Sequence, residues 1–438
     1  MKRLKLFGGG KMSKTEDIKF ELTKPKKRYY FDLPQIVKRF IEKIVDKGFM
    51  KIGEWRKLFD KTEWWTYEQL KDYQLERLKI ISKGNIQTWE DFYKLPLMTK
   101  EDVRKWTEEN EGRILLYNKN LTKHQTSGST GEPLRIYGPW FIQGMKDACF
   151  ERAWRWCGWD GKKPILRLTA GEPEWGWYDW LRNVKPLNYR KIEQKHLDFV
   201  YNKKPWIIHG GSGAIRELTT TMIKQGQEDI LKEINVYLMS EDVKKHTEEL
   251  QKYYKGVYAG YGLAELCTIA SQCYCQNYHV NMETAVVESM GGEIVVTDLL
   301  NDVTPLIRYR TGDKGKIMHH EDGKHPNDCS CGHEHDILYD IDGRKIDYYD
   351  GPEIKRPIGW WCISPISHDY MDYINKWKVE VYPKQNLFKL YVIKRKEGLN
   401  DLISKYWNFI EDNLGISNFE IEYVNEMKNN RYLLRVIL

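Results

Sequence analysis

The chain has 438 residues, 41% hydrophobic and 30% charged, and a formal charge of +7 left by 70 basic and 63 acidic side chains. That balance excludes an intrinsically disordered chain, and the near-cancellation of charge argues against a nucleic-acid-binding surface. No run reaches the roughly 18 apolar residues of a membrane span, no signal-peptide core follows the basic start, and eight cysteines without a disulfide framework suit a reducing, cytoplasmic setting.

Residues 13–30 read as a charged lead-in. DLPQIVKRFIEKIVDKG then sets Ile36, Val37, Phe40, Ile41, Ile44 and Val45 along one helical face, and Gly48 stops it. A second helix, TYEQLKDYQLERLKIISKG, opens on a Thr66–Gln69 capping box and stops at Gly84. LPLMTKEDVRKW is a turn into a third helix, with Thr99 as N-cap. From residue 115 short apolar runs alternate with helical ones. WIIHGG, INVYLMS and KGVYAGYG read as buried strands ending in small residues, and GAIRELTTTMIKQG as a helix between two of them. This alternation predicts parallel β-α units. Residues 283–320 carry alternating strand signals, and the tail from about 345 reads strand, strand, helix, strand, strand. The expected fold class is α/β. Residues 1–344 form a large layered domain with a β-rich subdomain, and residues 345–438 a small α+β domain.

Ahead of the β-α units lies HQTSGSTGEPLRIYG, His124–Gly138, too rich in glycine and hydroxyls for a strand interior. Such a loop offers backbone N–H groups and hydroxyls to an anion with nothing bulky in the way. It is not a Walker loop, because Glu132 and Pro133 follow Gly131 where Lys and Ser/Thr would stand. Taken alone, a Gly/Ser stretch is more often a plain turn. Its companions are YAGYGLAE (Tyr258–Glu265), RYRTGD (Arg308–Asp313) and DGRKID (Asp342–Asp347). An aromatic and a carboxylate at a strand end, an Arg/Thr/Asp turn and a Gly-Arg hinge make a nucleotide site assembled in a fixed order.

With these motifs the chain resembles the adenylate-forming superfamily. LPLMTKEDVR, TSGSTGEPL and CSCGH make it most similar to the phenylacetate–coenzyme A ligase and capsule-biosynthesis branch. The resemblance spans about residues 60–350. It implies that Thr126, Ser127, Ser129 and Thr130 hold the ATP phosphates, with Gly128 and Gly131 letting the backbone approach. It further implies that Tyr261, followed by Gly262, stacks on adenine, that Glu265 ligates Mg²⁺ and that Asp313 accepts from both ribose hydroxyls. Arg308 and Arg344 would neutralise phosphate or carboxylate charge, and Asp347 would be the hinge of a mobile C-terminal lid. Thr130, Glu265, Arg344 and a tail lysine would be catalytic. Three departures stand out: Ala264 replaces a frequent Ser or Thr, Glu132 stands where some relatives carry Lys, and the usual Gly-Lys of the tail is absent. Lys428 is the expected substitute, with Arg431 as the alternative.

The implied activity is ATP-dependent activation of a small carboxylate as an acyl-adenylate, with pyrophosphate release and transfer to coenzyme A or another thiol. The alternatives are an adenylyltransferase that stops after AMP transfer and a non-catalytic nucleotide-binding relative. A second copy of the chain is an expected partner; a membrane and nucleic acid are not. Trp159, Trp175 and Trp177 are candidates for an acyl pocket, although core packing is the commoner use of any one Trp.

Most of the eight cysteines read as small buried hydrophobes. QCYCQNYH and DCSCGHEH differ. Cys273 or Cys275 with His279, joined by Cys329 and Cys331, makes a Cys₃His set suited to a closed structural Zn²⁺ site. His333 and His335 are further donors in reach along the sequence, and the family resemblance favours Cys273 over Cys275.

Overall fold

The computed structural model describes residues 51–117, 121–125, 134–169, 176–189, 192–239, 243–320, 329–343, 345–346, 349, 351–356, 358, 361–363, 366, 373–394, 397–425, 427 and 432–438. The lead-in and the helix expected over residues 32–48 lie outside them.

Among the described residues four helical segments come first, one of them the short Trp89–Tyr93. In Ile52–Thr62 the buried residues Ile52, Trp55, Phe59 and Thr62 recur at helical spacing. Tyr67–Ile81 begins at the expected capping box: Thr66 Oγ1 accepts from the Gln69 N–H while Gln69 Oε1 accepts from the Thr66 N–H. Thr99 and Asp102 cap Lys100–Tyr117 in the same reciprocal way. A hairpin follows, β1 (Leu121–Gln125) and β2 (Arg135–Pro139), whose last pair is Gln125 opposite Arg135.

The next strands are β3 (Ile165–Thr169), β4 (Val184–Asn188), β5 (Ile207–Gly211), β6 (Asn235–Met239) and β7 (Gly256–Leu263). They are all parallel, in the order β4-β3-β5-β6-β7. Helices cover both faces, so the central strands β5 and β6 are buried almost throughout rather than alternating. Ile207 and Tyr237 pack with Ala153 and Trp154 of the helix Ile142–Trp156. Ile208, Val236 and Leu238 pack with Ile215, Leu218 and Met222 of the helix Ser212–Lys224.

At β7 the sheet changes character. Gly256–Ala259 pair parallel with β6, whereas Gly260–Leu263 pair antiparallel with β8 (Cys267–Gln272). The antiparallel half continues through β9 (Tyr278–Val280), β10 (Ala285–Met290), β11 (Glu293–Asp298), β12 (Tyr309–Met318) and β13 (Ile337–Asp342). Its order outward from β7 is β8-β9-β13-β12-β11-β10, which completes an 11-stranded sheet. Burial alternates along β12, as expected for a strand covered on one face.

The tail forms a separate sheet from β14 (Lys345–Ile346), β15 (Ile374–Tyr382), β16 (Leu387–Lys394), β17 (Asn418–Tyr423) and β18 (Tyr432–Val436), in the order β14-β18-β15-β16-β17. The helix Leu399–Leu414 packs on it through Ile403, Tyr406, Ile410 and Leu414. Its apolar residues are continuous with the core around Leu218 and Met222. Arg356 secures that junction: Nε and Nη2 donate to Glu217 at 2.7 and 3.0 Å, and the guanidinium lies 3.9 Å from the Trp361 ring centroid. No helix among the described residues is long and apolar enough to cross a membrane.

Candidate functional site

The β7 seam carries the expected nucleotide residues. Gly260 stands where parallel pairing gives way to antiparallel, and a Cβ there would come within 2.3 Å of Tyr237 Oη, so only glycine fits. A register shift follows between Tyr261 and Gly262. Tyr261 Oη donates to Asp313 Oδ2 at 2.9 Å, and both side chains are buried. Burial and the adjacent Asp313 carboxylate push the Tyr261 phenol well above its ordinary value, so it remains a hydrogen-bond donor. Gly312, at φ 80°, turns β12 just before Asp313, whose own N–H is held by Thr311 Oγ1 at 3.1 Å.

Glu265, also buried, accepts from Tyr309 Oη at 3.3 Å. Sequence reading did not assign Tyr309; its place in RYRTGD, between two named residues, was the available signal. Gly343, just past the end of β13, passes alongside: a Cβ there would lie 3.8 Å from Asp313 Oδ1. The hairpin packs here as well, because Leu134 and Ile136 share a core cluster with Tyr261, Leu266 and Tyr309. Thr126, Ser127, Gly128, Ser129, Thr130, Gly131, Arg344, Asp347, Lys428 and Arg431 lie outside the described residues.

Arg308 departs from its expected role. Nε and Nη2 donate to the two Glu288 oxygens at 3.1 and 2.8 Å, while Nη1 donates to the carbonyls of Tyr93 and Leu95 at 2.7 and 2.5 Å. Every guanidinium nitrogen is engaged inside the protein, so Arg308 anchors the Tyr93–Leu95 segment to β10 rather than facing a phosphate. Trp159 also serves packing: its Nε1 donates to the Lys163 carbonyl at 2.8 Å and its ring meets Trp154 edge-on at 5.6 Å. The side chains of Trp175 and Trp177 are outside the described residues.

A second cluster lies on the antiparallel half. Pairing of β9 with β13, His279 opposite Ile337, draws two distant segments together. Cys273 Sγ, His279 Nε2, Cys329 Sγ and Cys331 Sγ then lie within 4.8 Å of one another. Cys273 and Cys329 sulfurs are 3.4 Å apart, and Cys331 Sγ is 3.2 Å from His279 Nε2. A tetrahedral ion with bonds of about 2.0–2.3 Å needs donor separations of roughly 3.3–3.8 Å; these two pairs lie close to that range, and their donor chemistry suits Zn²⁺. The hydrogen bond with Cys331 and burial both push the Cys273 thiol up, so a cation is needed to hold its thiolate.

The remaining donors separate from this group. Cys275 Sγ meets Ser330 Oγ at 3.1 Å, His333 Nε2 meets Glu63 Oε1 at 3.2 Å and His335 Nε2 meets Glu283 Oε1 at 3.5 Å.

No protein-family model matches the chain. It is 23% identical over 382 residues to Protein CapK of Staphylococcus aureus, covering 80% of this chain and 81% of that one. Among solved structures it is similar to 2-hydroxyisobutyryl-CoA ligase in the postadenylation state with 2-HIB-AMP, at TM-score 0.50 and 14% identity over 88% of each chain. The same ligase with 2-HIB-AMP and CoA, in the thioesterification state, gives TM-score 0.51 and 14% identity over 88% of this chain and 89% of that one. The chain shares the fold of that ligase. Within that fold the β7 seam, the β12 turn and Gly343 at the end of β13 converge on Tyr261, Glu265, Tyr309 and Asp313.

Proposed function

We propose that this chain is an ATP-dependent adenylating enzyme that activates a small carboxylic acid and passes the acyl group to a thiol such as coenzyme A. The observation that carries this reading is the Tyr261–Asp313 hydrogen bond beside the Tyr309–Glu265 pair, at the point where the sheet changes pairing. Asp313 would accept from ribose, and Tyr261 fixes its orientation. Glu265 would hold Mg²⁺, which supplies charge neutralisation at the phosphates. The substrate carboxylate oxygen bonds to the α-phosphorus and the bond to pyrophosphate breaks. Both partners are anionic, so positioning and neutralisation dominate the barrier.

In this reading the loop 126–133 carries the phosphates, Arg344 and Lys428 supply cations, and residues 345–438 act as the lid. Cys273, His279, Cys329 and Cys331 hold one structural Zn²⁺, whose four protein ligands leave no position for water. Pyrophosphate exchange across a panel of carboxylic acids tests activation. A thiol-acceptor assay then separates the ligase from an adenylyltransferase that stops after AMP transfer. ATP binding without exchange for any acid would leave a non-catalytic nucleotide-binding protein.

A further inference from the structure

The described free cysteines divide by exposure. Cys149, Cys157, Cys273, Cys331 and Cys362 are buried, whereas Cys275 and Cys329 are only half-buried. Both half-buried sulfurs belong to the facing segments 273–275 and 329–331, which Tyr274 Oη joins by donating to the Ser330 carbonyl at 2.6 Å. Solvent therefore meets the metal cluster at Cys329, while Cys273, His279 and Cys331 close its inner side. Behind Cys329, at 3.4 Å, lies the Cys273 sulfur. Cys275 Sγ is turned to Ser330 Oγ instead. A zinc site keeps its cysteines as thiolates, the form that reacts with a peroxide. The cluster thus presents one reachable thiolate with a second in contact behind it.

The two segments also end the arms that carry the nucleotide residues. Cys273 directly follows β8, and Ala270, three residues earlier, pairs with Tyr261. At about 3.3 Å per residue that is roughly 10 Å of strand. His279 on β9 stands opposite Ser271 of β8 and Ile337 of β13. Asn281, two residues on, donates from its backbone and its side chain to the carbonyls of Ile269 and Thr268, both at 2.8 Å. Cys329 and Cys331 lead into β13, whose Asp342 pairs with Lys314, the residue after Asp313. A four-coordinate ion would join these arms at their outer end, as the Tyr261–Asp313 bond joins them at the inner one.

We propose that Cys273 and Cys329 form a redox switch: a peroxide converts the pair to a disulfide, releasing the Zn²⁺ and loosening the nucleotide seam. The inference rests on the zinc reading above and gives that site a regulatory role. The Cys329 thiolate takes one peroxide oxygen, becoming a sulfenic acid and releasing hydroxide. The Cys273 thiolate then attacks that sulfur, forming the S–S bond and expelling a second hydroxide. Together the two thiolates lose two electrons to the peroxide oxygens, and two protons from solvent complete two waters. His279 and Cys331 alone do not make a tetrahedral set, so the ion is lost. The disulfide spans only the Cys273–Cys329 pair, and the tie through His279 to β9 goes with the ion.

The test takes the full chain purified under reducing conditions, treats it with hydrogen peroxide and follows zinc with a chromogenic chelator. About one Zn per chain should be released, and peptide mapping should show a bond between Cys273 and Cys329. Dithiothreitol with added Zn²⁺ should restore the metal. Hydrogen exchange should quicken in β8, β9 and β13 of the oxidised protein and extend to Tyr261, and ATP affinity should fall by about fivefold or more. Cys275→Ser should respond as the parent does, because its sulfur lies outside the ligand set. Zinc retained under peroxide, a disulfide that uses Cys275, or a response lost in Cys275→Ser would each overturn the switch. So would zinc loss that leaves exchange at Tyr261 and ATP affinity unchanged. Absence of zinc from the reduced protein would sink the metal reading itself, and the switch with it. Failure of ATP to bind the reduced protein would sink the adenylating reading, and the exchange measurement would still decide the switch.

Discussion

Arg152 and Glu283 form an ion pair with Nη1 and Oε1 2.7 Å apart, and neither side chain retains any exposed surface. Glu283 also accepts from Thr62 Oγ1 and meets His335, while Arg152 reaches Asn281 and faces the Phe59 ring. The pair ties the helix Ile142–Trp156, and through Thr62 the helix Ile52–Thr62, to the segments that carry the Cys₃His cluster. Removing one member of such a pair strands the other charge. Glu283→Gln should therefore cost about 3–5 kcal/mol in denaturant unfolding. Arg152→Met combined with Glu283→Leu should cost less than the sum of the two single changes.

The metal reading gives a stoichiometry. Purified protein should carry about one Zn per chain, and Cys329→Ser or Cys331→Ser should lower zinc content and Tm together. Cys275→Ser should leave the zinc in place, because its sulfur is turned to Ser330. Elemental analysis and thermal melts of the three variants decide the matter.

Nucleotide binding should distinguish two changes at one hydrogen bond. Asp313→Ala removes the proposed ribose acceptor, a charged partner worth about 1.5–3 kcal/mol, so ATP affinity should fall by about tenfold or more. Tyr261→Phe keeps the ring but loses the donor that orients Asp313, and should weaken ATP binding less. Calorimetric titration, with circular dichroism as the control for folding, reads both.

Acid should destabilise the fold in two windows. Burial alone would raise Glu151, but Arg56 and Arg182 outweigh it and hold its carboxyl at about 2, below the ordinary 4.5. Its contribution is complete above about pH 4.5 and is lost as pH falls toward 2. Burial and the nearby Arg167 charge keep the His209 imidazole neutral when folded down to about 3, but it takes up a proton near 6.5 when unfolded. Its contribution therefore declines between those values, at up to about 1.4 kcal/mol per pH unit. Unfolding free energies from pH 7.5 to 4 should decline with pH, and His209→Phe should flatten the upper part of the curve.

Local signals were legible in the chain. The Thr66–Gln69 and Thr99–Asp102 caps, the buried runs of β5, β6 and β7, and the strand-strand-helix-strand-strand order of the tail all follow from residue spacing. Cys273, His279, Cys329 and Cys331 come together as their donor chemistry suggested, because β9–β13 pairing joins their two segments. Arg308 was not legible, because its partner Glu288 lies across two strands and the positive φ of 51° that aims the guanidinium has no signature in an arginine.

The continuous core between the tail and the helix Ser212–Lys224 also bears on how this chain can be cut. Leu218 and Met222 on one side, with Trp361, Ile363 and Ile366 on the other, belong to a single apolar body, and Arg356 fills its polar border against Glu217. A fragment ending near residue 344 would present that helix face to water and leave Glu217 without its cation. Such a fragment should express poorly, bind dyes that report apolar surface, and self-associate, even though every proposed nucleotide contact except the tail lysine lies within it.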